Sequence, residues 1–322
     1  KLLEAGNLTR SSLSIATKDT FLYAAGFLNL TNPLPLPSSP GALGWIGGLQ
    51  KITSALSSNG ITLEVWNSAF APELSWVGDW PANSHWPSIF ATLPVKDPVK
   101  ANKILSAITA ANEDSAAWTH QEKDGVQYFS TRAGGELFSL SPTIGLSKQM
   151  VVAGADAGSV EAAIKRSANG NSELAASSNF LNAERAVPAA KQAFTYIDPA
   201  LIYTRVDATL RPMLFMSAAF LPGISETIDL NKLPAPEAIT KHLSPIVMSQ
   251  SYDGDGYIAE SVGPVTVYQT ILGVGGVAGA AAVFYHHQTS GLTRGSFLAP
   301  SATPAAPSSS ASPAPNPDES PE

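Results

Sequence analysis

Three kinds of side chain in this sequence have the chemistry to bind or react: five histidines, a cluster of tryptophans and aspartates at recurring positions. The histidines, His85, His120, His242, His286 and His287, show neither HExxH nor another paired ligand spacing, so no metal site reads from them. His286 and His287 close a long apolar run, where imidazoles serve as interfacial side chains or, in a second reading, as ligands of a pigment or haem. There is no GxSxG elbow, no Ser-x-x-Lys pair and no Walker-type glycine loop. The chain contains no cysteine, which excludes disulfides, thiolate catalysis and Cys-ligated zinc or iron–sulfur centres. Asp253 and Asp255 begin like a calcium loop but lack its later glutamate, and a glycine-containing hairpin turn accounts for them. No catalytic residue, metal or cofactor is assigned.

The most distinctive polar-aromatic stretch is SWVGDWPANSHWPS, with Trp76, Trp80 and Trp86 punctuated by Pro81 and Pro87. Tryptophans on such a loop can form a platform for a glycan, a peptide or another subunit. They can equally pack beneath the loop and cover a sheet. Asn7-Leu-Thr9 and Asn29-Leu-Thr31 match glycosylation sequons, which carry no weight in a bacterial host.

The elements that must position these residues follow one recurring pattern, a short β-like run, an aspartate, then a helical pattern. It occurs around Asp19, Asp97, Asp156 and Asp198. An aspartate there accepts bonds from first-turn amides and complements the helix dipole, so all four are read as N-caps. Pro98 and Pro199 follow two of them, at the first helical position, where a missing amide is harmless. AAWTHQE and VQYFSTR around the turn Lys123–Gly125 read as a hairpin, as do SPIVMSQSY and YIAESVG around residues 253–256. The mixture predicts an α+β fold, antiparallel sheets with helices on one face and two ferredoxin-like halves, residues 1–180 and 181–263.

From Ser261 to Gln288 there is no Asp, Glu, Lys or Arg. Within this stretch Val265–Tyr285 has the ~20 residues a helix needs to cross ~30 Å of hydrocarbon. Residues 264–286 are therefore read as a transmembrane helix in contact with lipid. Gly275 and Gly279 form a GxxxG pair, continued by Ala278 and Ala282, a small-residue face suited to packing against another helix or a second copy. Gly273, Gly275 and Ala278 also match a dinucleotide fingerprint, but no acidic residue follows at the required distance. Arg294 follows the run and no Lys or Arg lies between His242 and it, which places the tail in the cytoplasm and the body in the periplasm or outside the cell. Residues 287–322, rich in Pro, Ser and Ala, lack the apolar content to fold. Lys1 in place of a methionine points to a start, and any targeting signal, lying upstream. A net charge of −7 with no basic run argues against nucleic acid as partner.

The segments LPVKDPVKANKI, EKDGVQYFS, LSPTIGLSKQMVVAG, FTYIDPALIYTRVDATLRP and LPAPEAITKHLSPIVMSQ give residues 76–265 a resemblance to an uncharacterised bacterial family. It is a family of domain-of-unknown-function proteins predicted to sit in the cell envelope. The resemblance implies an envelope location and brings no activity, cofactor or catalytic residue. The expectation is a non-enzymatic, membrane-anchored scaffold or accessory subunit of a membrane complex. The alternatives are a glycan- or peptide-binding module using the Trp loop and an enzyme of unrecognised type.

Overall fold

The computed structural model describes residues 8–27, 56–110, 117–132, 141–220, 233–252 and 256–265. The expected membrane run beyond residue 265, with Gly275, Ala278, Gly279 and Ala282, lies outside the described residues, as do the tail and the turn at 253–255. The chain divides into two compact units, Lys1–Gly273 and Val274–Glu322. The first holds all the described elements.

Ten strands form one antiparallel sheet: β1 (Thr20–Phe27), β2 (Glu73–Asp79), β3 (Ser88–Pro94), β4 (Thr119–Lys123), β5 (Val126–Ser130), β6 (Thr143–Leu146), β7 (Met150–Gly154), β8 (Ala193–Ile197), β9 (Ile246–Tyr252) and β10 (Tyr257–Val262). Their order across the sheet is β10-β9-β8-β1-β2-β3-β7-β6-β5-β4. The class is α+β. The helices are α1 (Leu63–Ala69), α2 (Pro98–Ala110), α3 (Ala157–Asn169), α4 (Glu173–Ala176), α5 (Ser178–Arg185), α6 (Pro199–Phe220) and α7 (Pro236–Thr240), with a 3-10 turn at Ser11–Ile15.

Strand periodicity distributes the core. Tyr23, Val77, Phe90 and Val152 face one way and bury Val160, Ala163 and Ile164 of α3 with Leu174 and Phe180 of α4 and α5. Val151, Leu146 and Phe129 face the other way, under Phe70 at the end of α1 and Ile104 and Leu105 of α2. On that second face Ile197 and Ile246 meet Ile202 of α6. Helices therefore cover both faces, not the single face expected. β7 carries the reason: Met150, Val151 and Val152 are consecutive buried residues, the pattern of a strand sandwiched on both sides.

The boundary expected at residues 180/181 falls inside α5, and β1 pairs with β8 across it, Leu22 opposite Ile197 through Gly26 opposite Ala193. The two anticipated halves share one sheet. The hairpin at 123–126 closes as its sequence demands, because Asp124 (φ 55°) and Gly125 (φ 72°) supply the left-handed pair of a two-residue turn.

The strand–aspartate–helix pattern appears at three of its four positions. Asp97 Oδ1 accepts from the amides of Val99 and Lys100 at 3.0 and 3.1 Å, opening α2. Asp156 Oδ2 accepts from Ser159 N at 2.7 Å, opening α3, and Gly170 (φ 69°) closes that helix in the left-handed region. Asp198 Oδ1 accepts from Leu201 N at 2.9 Å, opening α6. Asp19 caps no helix, because the residues after it form β1. TFLYAAGF places Tyr23 and Ala25 in the core and keeps the intervening residues less buried, the alternation of a strand.

Candidate binding face

The second face of the sheet is helix-covered at both ends, by α1 and α2 over β5–β7 and by α6 over β8–β9. Between them lie β1, β2 and β3. Here Trp76 stands directly opposite Ala24 on one side and Ala91 on the other, and Ala153 and Thr195 extend the row. Small neighbours leave the indole 46% exposed in the middle of a sheet. Ile89, also 46% exposed, lies opposite Gly78 on the same face. A Cβ at Gly78 would sit 2.8 Å from the Phe21 ring, so glycine is what lets that ring lie over the strand.

The loop from β2 to β3 is built around Trp80, which is 9% exposed. Its ring meets Phe21 edge-on at 6.2 Å, and its Nε1 donates to the carbonyl of Ser84 at 3.2 Å. The loop backbone is pinned from outside. Trp80 N donates to Asp19 O, and Arg205 of α6 donates Nε to Trp80 O at 2.7 Å and Nη2 to Asp19 Oδ1 at 2.6 Å. Trp86 stands at the tip, 70% exposed. The three tryptophans thus do not form one platform: Trp80 is the loop's internal prop, while Trp76 and Trp86 face outward.

A second ion pair supports the loop from the other face. Asp79, 3% exposed, accepts from Thr20 Oγ1 at 2.5 Å and from Arg166 Nη2 at 2.9 Å, while Arg166 Nε donates to Ile15 O. Burial pushes the Asp79 carboxyl above its ordinary range, against the pull of Thr20 and Arg166. Sequence reasoning identified neither arginine. Their partners lie 186 and 87 residues away in sequence, so no local spacing announces them.

Elsewhere the chemistry is sparse. His120 stacks on Phe129 at 4.8 Å and lines a shallow cleft of about 180 Å³ with Ser106, Thr109, Trp118 and Thr119. That is smaller than the ~300–1,000 Å³ of ordinary small-molecule sites. Its lining supplies no carboxylate to orient the imidazole. His85 is exposed on the Trp loop. Among the described residues no group of three His, Asp or Glu converges to hold a metal ion. Among the described residues, too, no helix is long and apolar enough to cross a membrane. Compared with known proteins, the chain matches no family model, no curated relative and no solved structure.

Proposed function

We propose that this chain is a single-pass, membrane-tethered protein of a bacterial envelope, a non-enzymatic scaffold or accessory subunit with its α+β body in the periplasm or outside the cell and its tail in the cytoplasm. The observation that carries the reading is the uncharged run from Ser261 to Gln288, which begins inside β10, the last described strand. Lipid is the first partner. The second is another membrane helix, from a copy of this chain or from a larger complex, packed on Gly275, Ala278, Gly279 and Ala282.

Flotation and alkaline extraction of membranes carrying the full chain test the tether. The chain stays with lipid, and Val277→Arg releases it, because arginine at the centre of a span costs about 2.5–3.5 kcal/mol on insertion scales. Wild-type protein found in the alkaline supernatant rejects the reading. Gly275→Leu with Gly279→Leu lowers the native mass measured in mild detergent; an unchanged mass removes the packing role.

The open face supports a second reading, a module that binds a glycan or peptide. Trp76, exposed between Ala24 and Ala91, offers a flat apolar surface beside a shallow floor. Trp76→Ala then abolishes binding to envelope glycan or peptide fragments while leaving the melting midpoint in place. A lowered midpoint with unchanged binding assigns Trp76 to packing.

A further inference from the structure

The tether reading says that the chain enters a bilayer; the fold indicates which flank of the body meets that bilayer. β10 ends at Val262, and only Gly263 and Pro264 separate it from Val265, where the apolar run begins. Val262 and Val265 are both 45% exposed. Gly263 (φ 157°) is pressed onto β9: a Cβ there would lie 2.9 Å from the Ile246 Cα. The exit is therefore fixed to the body.

From that exit a continuous set of contacts leads to α6. Ile246 pairs with Ile197, the next residue, Asp198, opens α6, and Arg205 grips the Trp loop about two turns further on. Beyond Arg205 the helix carries one ion pair and several exposed apolar side chains. Asp207 and Arg211 pair at 2.7 Å, and Arg211 also donates to Pro234 O beside α7. Leu210, Met213, Phe215 and Met216 are 49%, 53%, 45% and 61% exposed, with Leu210 three residues after Asp207 and Phe215 four after Arg211, so two of the four lie beside the ion pair. Trp86, at 70%, projects from the loop that Arg205 holds. Exposed apolar side chains on a helix, joined through Arg205 to a loop that carries an exposed tryptophan, are side-chain types that suit a membrane–water interface.

We propose that this flank rests on the bilayer surface, with Trp86, Leu210, Met213 and Met216 seated at the boundary between headgroups and acyl chains. The proposal rests on the tether reading. It assigns Trp86, Leu210, Met213 and Met216 to lipid, and it leaves Trp76 free for other use.

The absence of cysteine makes the test direct. Single variants of the full chain, Trp86→Cys, Met213→Cys, Glu122→Cys on the far edge strand β4 and Gly275→Cys in the apolar run, are labelled with an environment-sensitive fluorophore. They are then reconstituted into phosphatidylcholine–phosphatidylglycerol vesicles carrying shallow or deep nitroxide quenchers. The expected result is a blue-shifted label at 275 quenched by the deep probe, blue-shifted labels at 86 and 213 quenched by the shallow probe, and an unshifted label at 122. A label at 275 in lipid with those at 86 and 213 in water overturns the resting surface and leaves the tether standing. A water-exposed label at 275 overturns both. A label at 213 that is shielded yet insensitive to either quencher identifies a protein, such as a second copy, on α6 and also overturns the proposal.

Discussion

Single residues in this body act through carboxylates placed against backbone or arginine. Asp156 is held below the usual carboxylate range first by the Ser159 amide and then by the Ser159 hydroxyl. The stability it contributes is present above the ordinary value near 3.8 and is lost as pH falls through its depressed pKa. Asp156→Ala lowers stability by about 1 kcal/mol, read as a reduced urea midpoint with unchanged slope. Asp79 has the opposite sign. Its pKa is raised by burial, so in the window just above 3.8 the folded chain holds a proton that the unfolded chain has released. Stability then falls as pH rises through that window, and Asp79→Asn removes this component of the slope in thermal unfolding scans. An identical slope in the variant would remove the account. Arg205→Ala takes away both the donor to Trp80 O and the partner of Asp19. It destabilises by about 1–3 kcal/mol, and Arg205→Lys recovers little because one ammonium cannot reproduce the forked geometry. A urea midpoint within error of wild type for Arg205→Ala would show that the loop is held by packing alone. Asp97, Asp156 and Asp198 were legible in the sequence because capping is a local interaction between neighbours. Asp19 was not, because its partner Arg205 comes from an element 186 residues away, and the strand after it resembles a short amphipathic helix until its partners are known.

At the scale of elements, glycine decides how closely α3 lies on the sheet. A Cβ at Gly145 of β6 would sit 2.2 Å from Ile164 Cδ1, 3.1 Å from Val160 Cγ1 and 3.2 Å from Tyr128 Cε1. The Ile164 terminus can rotate away, but the other two neighbours must also yield. Gly145→Ala therefore costs about 1–3 kcal/mol through overpacking, and pairing it with Ile164→Val restores part of the loss. Equal denaturation midpoints for wild type and Gly145→Ala would mean that α3 is less tightly docked than the distances require. The helix itself was readable: Val160, Ala163, Ile164 and Ser167 repeat at the spacing of one buried face. The β4–β5 hairpin was readable from Asp124-Gly125. Which strands become neighbours was not, since β3 lies beside β7 and β8 beside β1, and no turn chemistry connects either pair.

The described residues of the first unit form one ten-stranded sheet helix-covered on both faces, with a Trp76-centred gap on one of them. The mixture of strand and helix patterns revealed the α+β class, but not that helices cover both faces of the sheet. It could not reveal that the halves on either side of residue 180 share a sheet, because that depends on a single long-range ladder. The ladder has a consequence for how the protein comes into being. One of the two partners of β1, β8, is encoded about 175 residues after it, so that edge stays open until the intervening chain has been made. A chain in that condition exposes a row of unpaired amides and carbonyls beside Leu22 and Ala24, the template that other nascent strands seek. Until Phe194–Ile197 has been made, that edge has no strand of this ladder to close it.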